Sequence, residues 1–463
     1  MSNNPHFLVM PYPILGHMNP LLQFSYVLIK HGCRITFVIS EFIHKRVKIP
    51  SDDDVGSSKM INFVTLPDGL DPEDDRSDQP KVILSMRNTM PPKLHKLIQD
   101  INNNGLDCEN KIRCILVSKN IGWALEVGNN LGIKGSFLWP ASATSLASYY
   151  SIQTLIDQGI IDSQTGLPIR KQEFQLLPNS PMMDTANLPW CSLGKNFFHH
   201  MAEDTQTMKL LGGWWLCNTT CDLEPGALEI SSRFLPIGPL MEATNDSNNN
   251  NKSSSFWQED TTCLEWLDQQ QPQSVVYVSF GSLAVMESNQ FKELALALDL
   301  INKPFLWVVR TGSNNDKNGN KSNNAYPDEF QGSKGKIVGW CPQKKVLNHP
   351  AIACFVSHCG WNSTVEGVCS GVPFLCWPHF SDQFVNKAYI CDFWKVGLGV
   401  EKDDDENGLV LRGEIMKKVE ELVGDEEIKA RSLKLKEVTL NNLVEGGRSS
   451  KNIDKFINWA KDY

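Results

Sequence analysis

The residues best suited to chemistry lie at 355–367, where the chain reads Phe-Val-Ser-His-Cys-Gly-Trp-Asn-Ser-Thr-Val-Glu-Gly. The apolar run at 352–356 reads as a buried strand, and a Gly-containing turn leads from it into a helix beginning near Asn362. The first N–H groups of such a helix have no acceptor within it and stand at the positive end of its dipole, so an anion is stabilised there. Asn362, Ser363 and Thr364 add side-chain donors, Gly360 permits close backbone approach, and His358 leaves the strand toward the same point. That set suits a phosphate. The same letters also spell a plain capping box, Ser363-x-x-Glu366, and residue types alone leave both readings open.

A second candidate is His17, in the segment Pro11-Tyr-Pro-Ile-Leu-Gly-His-Met-Asn-Pro20. A short apolar strand at 7–10 precedes it. Asn19-Pro20 reads as the cap and first turn of a helix with Leu21, Leu22, Ser25, Leu28 and Ile29 on one face, ended by Gly32. A strand at 34–40 follows, which makes a βαβ opening. The loop holding His17 then lies at the carboxyl edge of a parallel sheet, where such folds bind ligands. A histidine there is either an ordinary loop residue or a proton acceptor. The loop has no G-x-G-x-x-G pattern, which argues against a nicotinamide cofactor.

The elements that must position these residues continue the alternation. Strands are expected near 61–66, 112–117 and 133–139, with helices at 121–130 and through Leu146 and Tyr149, a doubly wound first lobe. A second lobe opens with a buried strand at 274–282 that ends in Gly281-Ser282, followed by a helix at 291–300 and a strand at 305–309. Two charged helical stretches and a last helix at 452–460 close the chain. The polar, low-complexity tract at 244–255 is the best linker candidate, and 312–324 reads as a surface loop. Trp139, Phe197, Phe198, Trp214 and Trp215 are core residues by default, or in part the lining of an apolar pocket.

At 463 residues the chain has room for two or three domains. Its 44 Lys plus Arg against 53 Asp plus Glu, a net of −9, argue against a nucleic-acid binder. No stretch approaches the roughly 18 apolar residues of a membrane span, and the start lacks the basic and apolar regions of a signal peptide. A soluble, cytoplasmic protein is expected. The 13 cysteines include no C-x-x-C pair and are expected as reduced thiols. Asp52-Asp-Asp54 and Asp403-Asp-Asp405 sit in charged, turn-rich sequence and read as solvated loops, so no metal is expected.

The stretch from Trp340 to Gln383 opens with Trp340-Cys-Pro-Gln343 and closes with Trp377-Pro-His-Phe-Ser-Asp-Gln383. It resembles the sugar-nucleotide signature box of plant secondary-product UDP-glycosyltransferases, family 1 glycosyltransferases of the GT-B fold. Gly16-His17-Met-Asn19-Pro20 resembles the family's first loop. The resemblance implies an α/β protein of two Rossmann-like doubly wound lobes facing each other across a cleft. Residues 1–243 would bind the acceptor, 244–257 link the lobes, 258–445 bind the UDP-sugar, and 446–463 form a helix packing back on the first lobe.

The resemblance also implies roles. Trp340 stacks on uracil, Gln343 and Glu366 address the ribose, and His358, Asn362 and Ser363 hold the phosphates, with the Gly281-Ser282 turn facing the diphosphate. Trp361, Asp382 and Gln383 contact the sugar, and Gln at the last position favours glucose over galactose. His17 is the general base of an inverting transfer from UDP-glucose to a hydroxyl or carboxylate of a small, largely apolar acceptor. No metal or other cofactor and no macromolecular partner is implied, and a monomer is expected. One position departs from the family. Ser118 stands where an aspartate usually pairs with the histidine, and Lys119 and Asn120 are not carboxylates either. A serine can hydrogen-bond the imidazole but cannot offset imidazolium charge. Three explanations are open: an acidic acceptor that needs little base, a carboxylate from elsewhere, or a weakened enzyme. The alternative function is a sugar-nucleotide or small-molecule binding protein with impaired turnover.

Overall fold

The computed structural model describes residues 4–47, 61–104, 111–240, 259–310, 326–403 and 408–462. The expected linker at 244–257, the tract at 312–324 and the acidic residues 52–54 and 404–405 lie outside them. The chain divides into two compact units, Met1–Trp257 with Asn441–Tyr463, and Gln258–Leu440.

The first unit is built on a seven-stranded parallel sheet. Its strands are β1 (His6–Met10), β2 (Arg34–Ser40), β3 (Ile61–Leu66), β4 (Ile112–Val117), β5 (Lys134–Trp139), β8 (Gly212–Cys217) and β9 (Phe234–Pro236). They lie in the order β3-β2-β1-β4-β5-β8-β9. The short strands β6 (Glu173–Gln175) and β7 (Met182–Asp184) form a separate antiparallel pair. β1 is buried at every position, as its unbroken apolar sequence requires of a central strand covered on both faces.

Helix Leu15–Lys30 starts earlier than the Asn19-Pro20 signal indicates, and Pro20 lies inside it. A proline there removes one helical hydrogen bond. Burial of Leu21, Leu22, Phe24 and Leu28, all at 0% exposure, offsets that loss at about 1.5–3 kcal/mol per side chain. The 26-residue helix Gln79–Asn104 likewise runs through Pro91 and Pro92, and no element is expected there from sequence. Its Val82, Met86, Met90, Leu94 and Ile98 recur at helical spacing and are buried.

The last helix, Arg448–Lys461, completes the core of this first unit. Phe456 stacks on Phe7 at 5.5 Å and meets Phe24 at 5.9 Å. Ser449 Oγ donates to Gly238 O at 2.5 Å and Asn452 Nδ2 to Pro236 O at 2.8 Å.

The second unit holds a six-stranded parallel sheet of β10 (Val275–Ser279), β11 (Phe305–Val308), β12 (Gly335–Val338), β13 (Ile352–Ser357), β14 (Phe374–Cys376) and β15 (Gly397–Gly399). The order is β12-β11-β10-β13-β14-β15. In both sheets the first strand of the unit lies beside the fourth, with the second and third on its other side. That is the doubly wound order, in which the crevice between the first and fourth strands at their carboxyl ends takes the ligand.

Candidate functional site

In the first unit the switch point lies between β1 and β4. Met10 and Val117, their last residues, are register partners, and Ser118 N–H donates to Met10 O at 3.3 Å. β1 is followed by the helix carrying His17. Both His17 N and Met18 N donate to Ile14 O at 2.9 Å, so His17 belongs to the first turn of that helix and not to a loop. This geometry brings His17 Nδ1 to 3.0 Å from Ser118 Oγ, across 101 residues of sequence. Ser118 Oγ also accepts from Tyr12 N–H at 2.7 Å, and the Tyr12 ring meets the imidazole edge-on at 5.6 Å. The Tyr12 hydroxyl donates to Gln79 Oε1 at 2.7 Å.

Beyond Ser118 the chain turns inward. Lys119 is 2% exposed, with Nζ donating to Thr205 Oγ1 at 2.8 Å and lying 3.7 Å from Asp204 Oδ2. Asp204, on helix Lys195–Leu211, accepts from Asn120 N at 2.9 Å and from Gly122 N at 2.7 Å. Among the described residues no carboxylate hydrogen-bonds the His17 ring. Burial, and secondly the Lys119 ammonium, push the His17 pKa down to about 3, so the imidazole is neutral at physiological pH.

In the second unit the same crevice lies between β10 and β13. β10 leads to Gly281, whose φ is +69°, and β13 leads through His358 and Cys359 to helix Trp361–Ser370. A Cβ on Gly281 would stand 2.6 Å from His358 Nε2, and one on Gly360 would stand 2.4 Å from it. Only glycines leave room for this imidazole between the two turns. The helix is entered at Gly360 with no side-chain cap, and its ladder opens with Thr364 N–H to Gly360 O at 2.9 Å. The capping-box alternative is therefore not what forms. Ser363 Oγ and Glu366 Oε2 instead each accept from Gln343 Nε2 at 2.8 Å, while Tyr277 OH donates to Gln343 Oε1 at 2.9 Å. Both N–H donors of Gln343 are thus used, and it fixes the orientation of Glu366.

Burial, with His379 and Arg310 adding to it, lowers the His358 pKa to about 4. With no anion beside it, His358 is therefore neutral at physiological pH. Positive charge comes from Arg310, which donates to the carbonyls of Ser282 and Ala284 and so pins the turn after β10. Asn362 is half-buried at the second position of the helix, and Trp340 is half-buried at the end of its loop. Trp361 is 3% exposed with its ring beside Trp394, so its indole faces the interior. Gln383 Oε1 accepts from His379 N at 2.7 Å and Phe380 N at 3.2 Å. Asp382 is held by Asn386 Nδ2 at 2.8 Å, and burial raises its pKa to about 6.

Sequence reasoning did not single out Tyr12, Tyr277, Arg310 or Asn386. Asn386 alone had a readable signal, standing one helical turn after Asp382. Its amide also donates to Cys359 O at 2.8 Å, and Cys359 N donates to Ser357 Oγ at 3.1 Å. These bonds hold Cys359 at φ +63°, a left-handed conformation costing about 1–3 kcal/mol for a residue with a side chain. Of the aromatic candidates, Trp139, Phe198 and Trp215 are buried in the first unit, whereas Phe197 and Trp214 are half-buried.

Residues 252–438 match the family described as UDP-glucoronosyl and UDP-glucosyl transferase. UDP-glycosyltransferase 83A1 of Arabidopsis thaliana is 40% identical, over 99% of this chain and 97% of its own. A 7-deoxyloganetin glucosyltransferase of Catharanthus roseus is 31% identical, over 99% and 97%. The crystal structure of Os79 from O. sativa, in complex with UDP, superposes with a TM-score of 0.81 at 25% identity, covering 98% of this chain and 100% of that one. With two doubly wound parallel sheets and full-length likeness of this kind, the chain belongs to the plant UDP-glycosyltransferases, family 1 glycosyltransferases of the GT-B fold.

Proposed function

We propose that this glycosyltransferase moves glucose from UDP-glucose, with inversion, onto a hydroxyl or carboxylate of a small, largely apolar acceptor held by the first unit. The observation that carries the donor half is the crevice between β10 and β13. There Gly281 and Gly360 leave space around His358, and the helix from Trp361 presents its N-terminal end. A diphosphate is matched by such a helix end, a neutral imidazole and a nearby guanidinium. Together they offset leaving-group charge without calling on a metal ion. The carboxylate of Glu366, fixed by Gln343, suits two vicinal ribose hydroxyls, and the half-buried Trp340 offers a face to uracil. In this reading Asp382 and Gln383 contact the sugar hydroxyls. The name of the C. roseus relative supports glucose, and the UDP of the O. sativa structure supports the nucleotide.

On the acceptor side the general base for a hydroxyl would be His17, whereas an already ionised carboxylate calls for no base. A single displacement from the face opposite UDP turns an α-linked donor into a β-glucoside. Free thiols at the described cysteines suit action in the cytosol, and no helix among the described residues is long and apolar enough to cross a membrane. The test is acceptor-dependent release of UDP from UDP-glucose, with glucosylated product identified by mass. His358→Ala should raise the donor KM about 10- to 100-fold, the loss of one or two buried hydrogen bonds to a charged group. If no acceptor in a broad panel elicited release of UDP, despite tight UDP binding, only a nucleotide-sugar binder would remain.

A further inference from the structure

We infer that the acceptor reacts as an ionised carboxylate and that the product is a glucose ester, an inference that rests on the transferase reading above. Two features around His17 point there.

The first is the proton inventory at Ser118. An aspartate could only accept, which would force a proton onto Nδ1 of the imidazole and leave Nε2 as the base. A hydroxyl both accepts and donates. Ser118 Oγ already accepts the Tyr12 N–H at 2.7 Å, and its own proton has two acceptors in reach. His17 Nδ1 is at 3.0 Å and Lys119 O is at 3.5 Å, so the imidazole is the better of the two. Donation to Nδ1 places the ring proton on Nε2. In that tautomer His17 cannot take a proton from an alcohol, but it can donate a hydrogen bond to a carboxylate oxygen.

The second feature is charge. The groups facing the imidazole are Tyr12 from the turn after β1, Ser118 and Lys119 from the end of β4, and, behind them, Asp204 and His200 from helix Lys195–Leu211. Lys119 is locked inside by Thr205 and Met201 O, and its counter-charge Asp204 is engaged with two backbone N–H groups. The Lys119 ammonium therefore opposes an imidazolium at His17 and favours an anion beside it. A carboxylate acceptor needs no base. One of its oxygens forms the bond to the anomeric carbon while the bond from that carbon to UDP breaks, and UDP leaves with the electron pair. The acceptor's proton was lost to water beforehand, so atoms and charge balance.

The experiment compares matched pairs on one aromatic ring, benzoate with benzyl alcohol and cinnamate with cinnamyl alcohol, for the native enzyme, Ser118→Asp and Ser118→Ala. The native enzyme should favour each acid by about tenfold or more in kcat/KM, because general-base help of about 10²–10⁴ is absent for the alcohol. The kcat/KM for the acid should be flat from pH 6 to 7 and fall as pH rises through about 8, where Lys119, its pKa lowered by burial, loses its charge. Ser118→Asp should invert the preference and give the alcohol reaction an acid limb, since a carboxylate beside His17 raises its pKa. Ser118→Ala, which removes the donated proton without adding charge, should keep the acid preference while lowering its rate. Faster native turnover of the alcohols, or an acid reaction that rises with pH through a histidine pKa, would overturn the inference while leaving a glucosyltransferase. Failure of every acceptor would overturn the transferase reading instead.

Discussion

Asp382 is an acid whose folded-state pKa, about 6, stands above its ordinary 3.8 because burial disfavours the charge. A carboxyl with a raised folded pKa favours the fold in its protonated form, so that contribution is complete below pH 4 and disappears as pH rises through about 6. At neutral pH the ionised group burdens the fold, and in the proposed reaction it accepts hydrogen bonds from the sugar. Asp382→Asn should therefore raise the melting temperature at pH 7.5 but not at pH 4, with a gain of about 3 kcal/mol from the size of the shift. The same variant should weaken UDP-glucose binding and leave UDP binding nearly unchanged. In the native enzyme the KM for UDP-glucose should climb as pH falls through about 6. A variant no more stable at pH 7.5, or a KM flat across that window, would remove Asp382 from the sugar site.

At the scale of elements, the turn after β13 and the helix Gln383–Ala388 are tied by one side chain, Asn386, which donates at once to Cys359 O and to Asp382 Oδ2. Asn386 is 0% exposed. Asn386→Ala would leave a buried carbonyl and a buried carboxylate oxygen each short of a donor, and would loosen the left-handed Cys359. The expected result is a stability loss of about 1–3 kcal/mol. UDP alone and UDP-glucose should both bind more weakly, read by calorimetry, because the proposed phosphate turn and the proposed sugar contact share this strut. Weakening of UDP-glucose alone would show that the strut serves only Asp382. Gly281→Ala and Gly360→Ala test the neighbouring cradle. Each new methyl displaces the His358 ring, and UDP affinity should fall in both, with an added strain of about 1–2 kcal/mol at the left-handed Gly281.

At the scale of the whole chain, the first unit is closed by its last residues. Ile453, Phe456, Ile457 and Ala460 fill a core that includes Phe7, Phe24 and Leu116, whereas the second unit's core is separate and centres on Val276, Val356 and Leu375. Phe456→Ala should cost about 3–5 kcal/mol, the usual penalty of emptying a large aromatic site. Amide exchange should accelerate in β1, β4 and helix Leu15–Lys30 and stay slow in β10 and β13. UDP should still protect helix Trp361–Ser370 in this variant. Equal acceleration in both units would mean that their stabilities are not independent.

Much of this arrangement is written locally. The apolar runs at 7–10, 112–117, 275–279 and 352–356 can satisfy their backbone and bury both faces only as central parallel strands, and the turns that follow carry the small and polar residues of a ligand edge. The signature stretch from Trp340 and the residue at 118 were legible for the same reason, since each depends on the identity of neighbours along the chain. Helix Gln79–Asn104 was not, because its prolines read as breaks until tertiary burial of one face outweighs them. Nor was the meeting of residues 101 apart at His17 and Ser118, or the seating of His358 between Gly281 and Gly360. Those contacts follow from which strand lies beside which, and strand order is set by how crossover helices pack on the sheet, a choice that no local propensity encodes. Whether Lys119 turns inward beside the imidazole or outward to water was decided there too, by Asp204 arriving from a helix more than 80 residues away.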